Sequence, residues 1–184
     1  MQQVAGGIFL NKKMKSALGW VAWIIGVIVV SLLLNMFVFS VADVHQISMQ
    51  PTLVENDRVI VDKISARLFG PERFDVVVVQ FPNTEPNKPF IKRVIGMPGD
   101  TVKIVDDVLY INDEVVEQPF IIDTASQHTE DYTYPGVIPE GQYLVMGDNR
   151  DSSLDGRKLG LLTQDQIIGI GRCVIWPLDD IQWL

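Results

Sequence analysis

Phe74-Asp75-Val76-Val77-Val78-Val79-Gln80-Phe81 holds four consecutive valines bounded by Pro71 and Pro82. A β-branched run this short, closed by prolines, reads as a strand buried on both faces rather than as a helix. The segments on either side repeat the signal. Asp57-Arg58-Val59-Ile60-Val61-Asp62-Lys63 precedes it, and Phe90-Ile91-Lys92-Arg93-Val94-Ile95 follows a proline-rich loop at 83–89 and ends in Gly96-Met97-Pro98-Gly99-Asp100, a run of turn formers. Three further short strands are expected at 101–105, 108–111 and 114–117, joined by Asp106-Asp107 and Asn112-Asp113, residues that tolerate the left-handed backbone of two-residue hairpins. Residues 119–140 are polar, contain His128 and read as a long excursion, after which 142–146 and 167–176 supply returning strands. The helix start expected in this region is Thr163, with Gln166 placed to complete a capping box. The fold class is mostly β: an antiparallel sheet or barrel-like domain.

Working outward to the N-terminal side, the character of the chain changes. No ionisable side chain occurs from Ser16 to Ala42, and the run is almost wholly apolar. About 20 such residues cross a bilayer as a helix, so the expected organisation is a basic cytoplasmic segment at 1–15, a transmembrane anchor at 16–42 and an extracytoplasmic domain at 43–184. A cleaved secretory signal is the rival reading, because Ser40-Val41-Ala42 offers small residues at a possible cleavage point. Its apolar region would exceed the usual length of roughly 7 to 15 residues. Lys12, Lys13 and Lys15 precede the span and every acidic residue lies beyond it, within a net charge of −8; the positive-inside bias therefore puts the N-terminus in the cytoplasm. The lipid bilayer is thus an expected partner. The acidic balance gives no sign of a nucleic-acid partner. Cys173 is the single cysteine, which excludes an internal disulfide, and its apolar neighbours read as those of a buried structural thiol. No cluster has metal-ligand spacing and no glycine-rich phosphate loop occurs, so no cofactor and no metal are expected.

Three stretches carry chemistry. In Gln46-Ile47-Ser48-Met49-Gln50-Pro51-Thr52, Pro51 lacks an N–H and pushes Gln50 towards extended backbone, which holds Ser48 on an irregular segment. In 90–95, alternation puts Lys92 on the same face as Phe90 and Val94 while Ile91 and Arg93 point the other way. An ammonium held against apolar side chains loses hydration and its pKa falls, so that a neutral amine can take a proton from a serine hydroxyl. Gly147-Asp148-Asn149-Arg150-Asp151-Ser152-Ser153-Leu154-Asp155-Gly156-Arg157 alternates acids and arginines, as a turn-rich loop stapled by ion pairs does, for example Asp155 with Arg157. Each stretch alone has an ordinary structural explanation: a turn serine, a lysine reaching solvent, a solvated loop. A Ser-His-Asp arrangement through His45 is disfavoured, because three residues along an extended segment place the His45 and Ser48 side chains on opposite faces.

Taken together, and in this order after an apolar anchor, these stretches resemble the type I signal peptidases of the compact Gram-positive kind. These are membrane-bound serine endopeptidases that use a Ser-Lys dyad to remove signal peptides from secreted preproteins. The resemblance is carried by the anchor, Ser48 to Leu53, Asn56 to Val61, Ile91 to Asp100, and Gly147 to Arg157. It implies Ser48 as nucleophile and Lys92 as general base. It also implies Ser153 orienting the Lys92 amine, Asp155 and Arg157 bracing the loop with support from Asp148, and Gln46 completing an oxyanion hole with the Ser48 N–H. It further implies cleavage after small residues, commonly Ala-X-Ala, signal peptides of preproteins as partners, and the secretion translocon nearby. Three positions depart from the family's pattern: Gln46, where many relatives carry a hydroxyl, Gly156, where serine is common and where glycine is expected to loosen the loop, and Ser152, where asparagine is frequent and the change is expected to be neutral. Ser40-Val41-Ala42 matches the implied specificity, so cleavage of the chain itself before Asp43 is a further expectation. A non-catalytic paralogue that binds signal peptides is the competing function, and a depressed Lys92 pKa separates the two.

Overall fold

The computed structural model describes residues 12–82, 84–86, 88–121 and 128–184. It divides into two units, Met1–Phe37 and Val38–Leu184. In the first, α1 (Lys12–Phe37) contains a stretch, Ser16–Leu34, long and apolar enough to cross a membrane. Its apolar side chains face outward on every side, Trp20 and Trp23 among them. A helix that is hydrophobic all round is made for lipid or a deep core rather than for water.

The helix ends earlier than its composition implies. Residues 39–42 were expected to lie in the anchor, but Phe39–Asp43 forms β1, paired antiparallel with β2 (Arg58–Asp62) in the register Val41↔Ile60 and Ala42↔Val59. Hydropathy alone does not separate the two states. The alternation does: Phe39 and Val41 point outward while Ala42 packs against the buried group around Val44, Met49 and Val59. The Ala42–Asp43 bond therefore lies within a paired strand.

After β2 the chain makes α2 (Lys63–Leu68), which strand propensity at 57–63 hides. Asp62, the last residue of β2, caps it by accepting from the Ser65 N–H at 3.0 Å and from the Ser65 hydroxyl at 2.6 Å. Next come β3 (Val76–Val79), whose four valines are all buried as expected, and β4 (Phe90–Gly96). β5 (Val102–Val105), β6 (Val108–Ile111) and β7 (Glu114–Val115) form the expected meander, with Asp106, Asp107, Asn112 and Asp113 all at positive φ. The 119–140 excursion is less detached than its composition implies. It supplies β8 (Tyr132–Thr133), which pairs with β5, and buries Ile138, while 122–127 lie outside the described residues. β9 (Gln142–Met146), α3 (Gly156–Leu159), β10 (Leu162–Thr163), β11 (Ile167–Trp176) and β12 (Gln182–Trp183) complete the chain. A single helical turn, Gln164–Gln166, sits where Thr163 predicted a start, and Gln166 Oε1 accepts from the Thr163 N–H at 2.9 Å.

All pairings are antiparallel. The larger sheet runs β1-β2-β11-β3-β4-β9-β10 with β12 on the side of β11, and the smaller runs β7-β6-β5-β8. Register shifts in β11 at Ile167/Gly169, Gly171/Cys173 and Val174/Trp176 bend that long strand, and the sheet curls into a half-barrel. Ile95, Val102, Ile104, Leu109, Leu144 and Met146 join the two sheets in one buried group. Cys173, expected to be buried, is half-buried on β11, where it opposes Ile60 and Trp183.

Candidate active site

Ser48 lies in one helical turn, Ile47–Met49, between two extended residues, Gln46 (φ −121°, ψ 145°) and Gln50 (φ −65°, ψ 141°). Pro51 enforces the second of these. Met49 and Leu53 are buried beneath it and joined by a 2.9 Å hydrogen bond from Leu53 N to Met49 O, so the turn is pinned to the core on one side. On the other side the 147–157 loop holds it. Asn149 donates its backbone N–H to Ser48 O at 3.0 Å and its side-chain amide to Ile47 O at 3.3 Å. The approach is close enough to demand glycine at 147, since a Cβ there would stand 2.4 Å from Ser48 O and 2.4 Å from Ser153 Oγ.

Lys92 lies on β4 between β3 and β9, opposite Val77, and is wholly buried. Its Nζ is 2.7 Å from Ser48 Oγ and 5.4 Å from the centre of the Phe90 ring. Loss of hydration drives the amine pKa down to about 8, the Arg157 charge helps, and the charges of Asp155 and Asp148 resist. A lysine in contact with a carboxylate would stay protonated. Here both carboxylates are committed elsewhere.

Asp148 takes a two-pronged ion pair from Arg93, with Nε–Oδ1 at 2.9 Å and Nη2–Oδ2 at 2.7 Å, and accepts from the Thr52 hydroxyl at 2.6 Å. Arg93 also donates to Phe74 O at 2.8 Å and stacks on the Phe120 ring at 4.2 Å. Asp155 is matched by Arg157 at 3.0 Å through both Nε and Nη2, and it accepts from the Gly147 N–H at 3.0 Å. Those contacts hold its carboxyl below the usual range despite burial. Arg157 continues to Arg150 O at 2.6 Å. One pair thus ties the loop to β4 and the segment after Ser48, and the other closes the loop on itself.

The remaining expected residues are more scattered. Ser153 is buried next to Gly147, where its hydroxyl helps hold the Asp155 carboxyl low, and the expected bond to the Lys92 amine is not formed. Gln46 is exposed, and it lines two cavities together with Ser48. The larger, about 520 Å³, runs along β1 from Ser40 to Val44 and is floored by Met49, Val61, Val78 and Ile91. The smaller, about 350 Å³, opens on Ser48 and Lys92 between Phe90 and Leu154. The side-chain partner of Ser48 is Lys92, not His45, which is exposed. Gly156 is not the loose point its type implies. It is buried at the start of α3, where a Cβ would stand 2.8 Å from Val145 O and 2.8 Å from Leu144 Cδ1.

Over residues 17–176 the chain matches the family described as signal peptidase, peptidase S26. The chain belongs to this signal peptidase family. It is 37% identical over 180 residues to a signal peptidase I of Bacillus licheniformis, covering 94% of this chain and 95% of the relative. Signal peptidase I S of Bacillus subtilis is 35% identical over 178 residues, covering 92% and 95%. Signal peptidase IB of Staphylococcus aureus is 33% identical over 183 residues, covering 92% and 94%. Among solved structures, a signal peptidase I of Enterococcus faecalis superposes with a TM-score of 0.50 at 33% identity, covering 54% of this chain and 95% of that one. These relatives agree with the compact Gram-positive type that the sequence resembles, and the family is one of serine endopeptidases.

Sequence reasoning missed Arg93, Thr52, Asn149 and Gly147. For Arg93 a signal was present: alternation turns it away from Lys92, a buried guanidinium needs a carboxylate, and Asp148, expected only to support the loop, is the acid it pairs with.

Proposed function

We propose that this chain is a membrane-anchored signal peptidase that removes signal peptides from secreted preproteins after small residues, with Ser48 as nucleophile and Lys92 as general base. The observation that carries the reading is the 2.7 Å separation of Ser48 Oγ and a wholly buried lysine amine whose pKa has fallen to about 8. In its neutral form the amine accepts the Ser48 proton as Oγ attacks the scissile carbonyl. The resulting ammonium gives that proton to the leaving amine of the mature chain. Water then enters, Lys92 takes its proton, hydroxide attacks the acyl-serine ester, and Ser48 recovers its proton from Lys92. The oxyanion is met by the Ser48 N–H and the Gln46 amide. Asp155, Arg157 and Asp148 fix the loop that backs the dyad, and Ser153, buried in that loop, orients the Lys92 amine.

The substrate lies extended along β1, whose outer edge is unpaired among the described residues, and seats its small side chains in the apolar floor of the larger cavity. The N-terminus is cytoplasmic and residues 43–184 are extracytoplasmic, in keeping with Lys12, Lys13 and Lys15 before the span. The test is cleavage of an Ala-X-Ala signal-peptide substrate by detergent-purified full chain alongside Ser48→Ala and Lys92→Ala. Cleavage by the unaltered chain alone supports the dyad. Cleavage surviving Lys92→Ala removes Lys92 from its role, and an inactive but peptide-binding chain turns the reading to the non-catalytic paralogue.

A further inference from the structure

Two cavities meet at Ser48, and they differ in which side of the dyad they serve. Lys92 underlies the smaller, of about 350 Å³, and takes no part in the walls of the larger. The amine that takes the Ser48 proton must pass it to the scissile nitrogen as the C–N bond breaks, and such a transfer needs hydrogen-bond reach. Lys92 Nζ stands 2.7 Å from Ser48 Oγ, so the leaving nitrogen is confined to the Lys92 side of the serine, while the acyl half stays on Oγ towards the larger cavity. The remaining walls of the smaller cavity include Phe90, Ile47 and Leu154, and they hold no carboxylate. Ile47 is 51% exposed and Leu154 46%. Asn149 links the two segments that carry them: its side-chain amide donates to Ile47 O at 3.3 Å, and its Oδ1 accepts from the Ser152 N–H at 3.3 Å. Two open apolar side chains are thus held on one frame beside the nucleophile. The space would take about ten waters at about 30 Å³ each, far more than the one that hydrolysis of the ester consumes.

We propose that the smaller cavity receives the first residue of the released mature chain, and that Leu154, together with Ile47, is the side chain which that residue meets. The inference rests on Ser48 as nucleophile and Lys92 as general base. Leu154 is then a specificity-determining residue on the leaving side of the bond, whereas Val61, Val78 and Ile91 floor the cavity on the acyl side. Once the mature chain departs, the same space admits the water that Lys92 deprotonates.

The test uses the full chain in micelles and two Ala-X-Ala signal-peptide substrates that are identical except for Glu or Lys as the first residue after the cut. The readout is the ratio of kcat/KM for the Lys substrate to that for the Glu substrate, in the unaltered chain, Leu154→Glu and Leu154→Lys. Relative to the unaltered chain, the ratio should rise about tenfold in Leu154→Glu and fall about tenfold in Leu154→Lys. A merely structural role for Leu154 lowers both substrates alike and leaves the ratio where it was, which overturns the proposal. Where a 154 variant is inactive, Ile47→Glu and Ile47→Lys give the same ratio test. A second substrate pair carries Glu or Lys at X instead. If the variants shift the ratio for that pair and not for the first, the acyl half lies beside Leu154 and the proposal is overturned. Absence of cleavage by the unaltered chain overturns the dyad reading, and this inference with it.

Discussion

Raising the pH titrates one group that the proposed chemistry needs neutral. An ordinary lysine ionises near 10.5, and burial brings Lys92 to about 8. The difference amounts to about 3 kcal/mol against the ammonium. At pH 7 about one amine in ten is then neutral and at pH 9 about nine in ten, whereas an ordinary lysine would be neutral in fewer than about one in a thousand molecules at pH 7. Because kcat/KM reports the free enzyme, its profile for an Ala-X-Ala peptide in detergent should rise about tenfold per pH unit up to pH 7, gain about ninefold more by pH 9, and then level. Asp155→Asn sharpens the test. It removes the charge that most resists the fall and leaves the Arg157 guanidinium, which assists it, unneutralised. Both changes push the same way, so the rising limb moves to lower pH even as the braced loop loses rate. Lys92→Arg keeps a cation that does not release its proton and should lose cleavage by on the order of 10³ to 10⁴. A limb above pH 10 in the unaltered chain, or an Asp155→Asn limb displaced towards high pH, would refute the reasoning.

Gly156→Ser installs the residue common in the family, yet its Cβ meets Val145 backbone at 2.8 Å, so it should destabilise by about 1 to 3 kcal/mol in chemical denaturation of the micellar protein. Asp148→Leu leaves the Arg93 guanidinium buried and unpaired and should cost about 3 to 5 kcal/mol, while Asp148→Leu with Arg93→Met recovers most of that loss; a double variant as unstable as the sum of the singles would contradict the pairing. Lys92 should also make stability depend on pH. Its folded value lies below its unfolded value, so the unfolded chain binds more protons between about pH 8 and 10.5 and stability rises with pH across that window by at most about 3 kcal/mol. In Lys92→Met the part of the slope between about pH 8 and 10 should be lost and stability at pH 7 should increase.

What the sequence disclosed and what it hid divide along physical lines. Strands were legible where one residue type committed a segment, as in Val76–Val79, and so were hairpins where Asp and Asn took positive φ. The end of α1 was not, because an apolar run satisfies both lipid and a strand, and only pairing with β2 decides between them for Phe39–Asp43. The short α2 hid behind strand propensity, since its cap is the last residue of the preceding strand. At the site, residue types were legible and contacts were not. Ser48 and Lys92 are 44 positions apart, and nothing local encodes the 2.7 Å between them. Gly156 read as freedom and proved to be close packing, because a glycine selected for lack of volume looks in sequence like one selected for φ.

The placement of Lys92 follows from its neighbour. Side chains alternate along β4, so fixing Arg93 on one face fixes Lys92 on the other, and a slip of one residue would exchange them. An exchange would set a guanidinium, which keeps its proton at any accessible pH, beside Ser48 and strand an amine next to Asp148, where the carboxylate would hold it charged. The two positions are not interchangeable, and the structure penalises the wrong register at both. Arg93 in its own place finds both oxygens of Asp148, the Thr52 hydroxyl at 3.2 Å and Phe74 O at 2.8 Å, contacts that reach the loop, the segment after Ser48 and the turn before β3. The residue that must stay charged therefore locks the strand, and the adjacent residue, given no carboxylate to pair with, is left where an amine can be neutral.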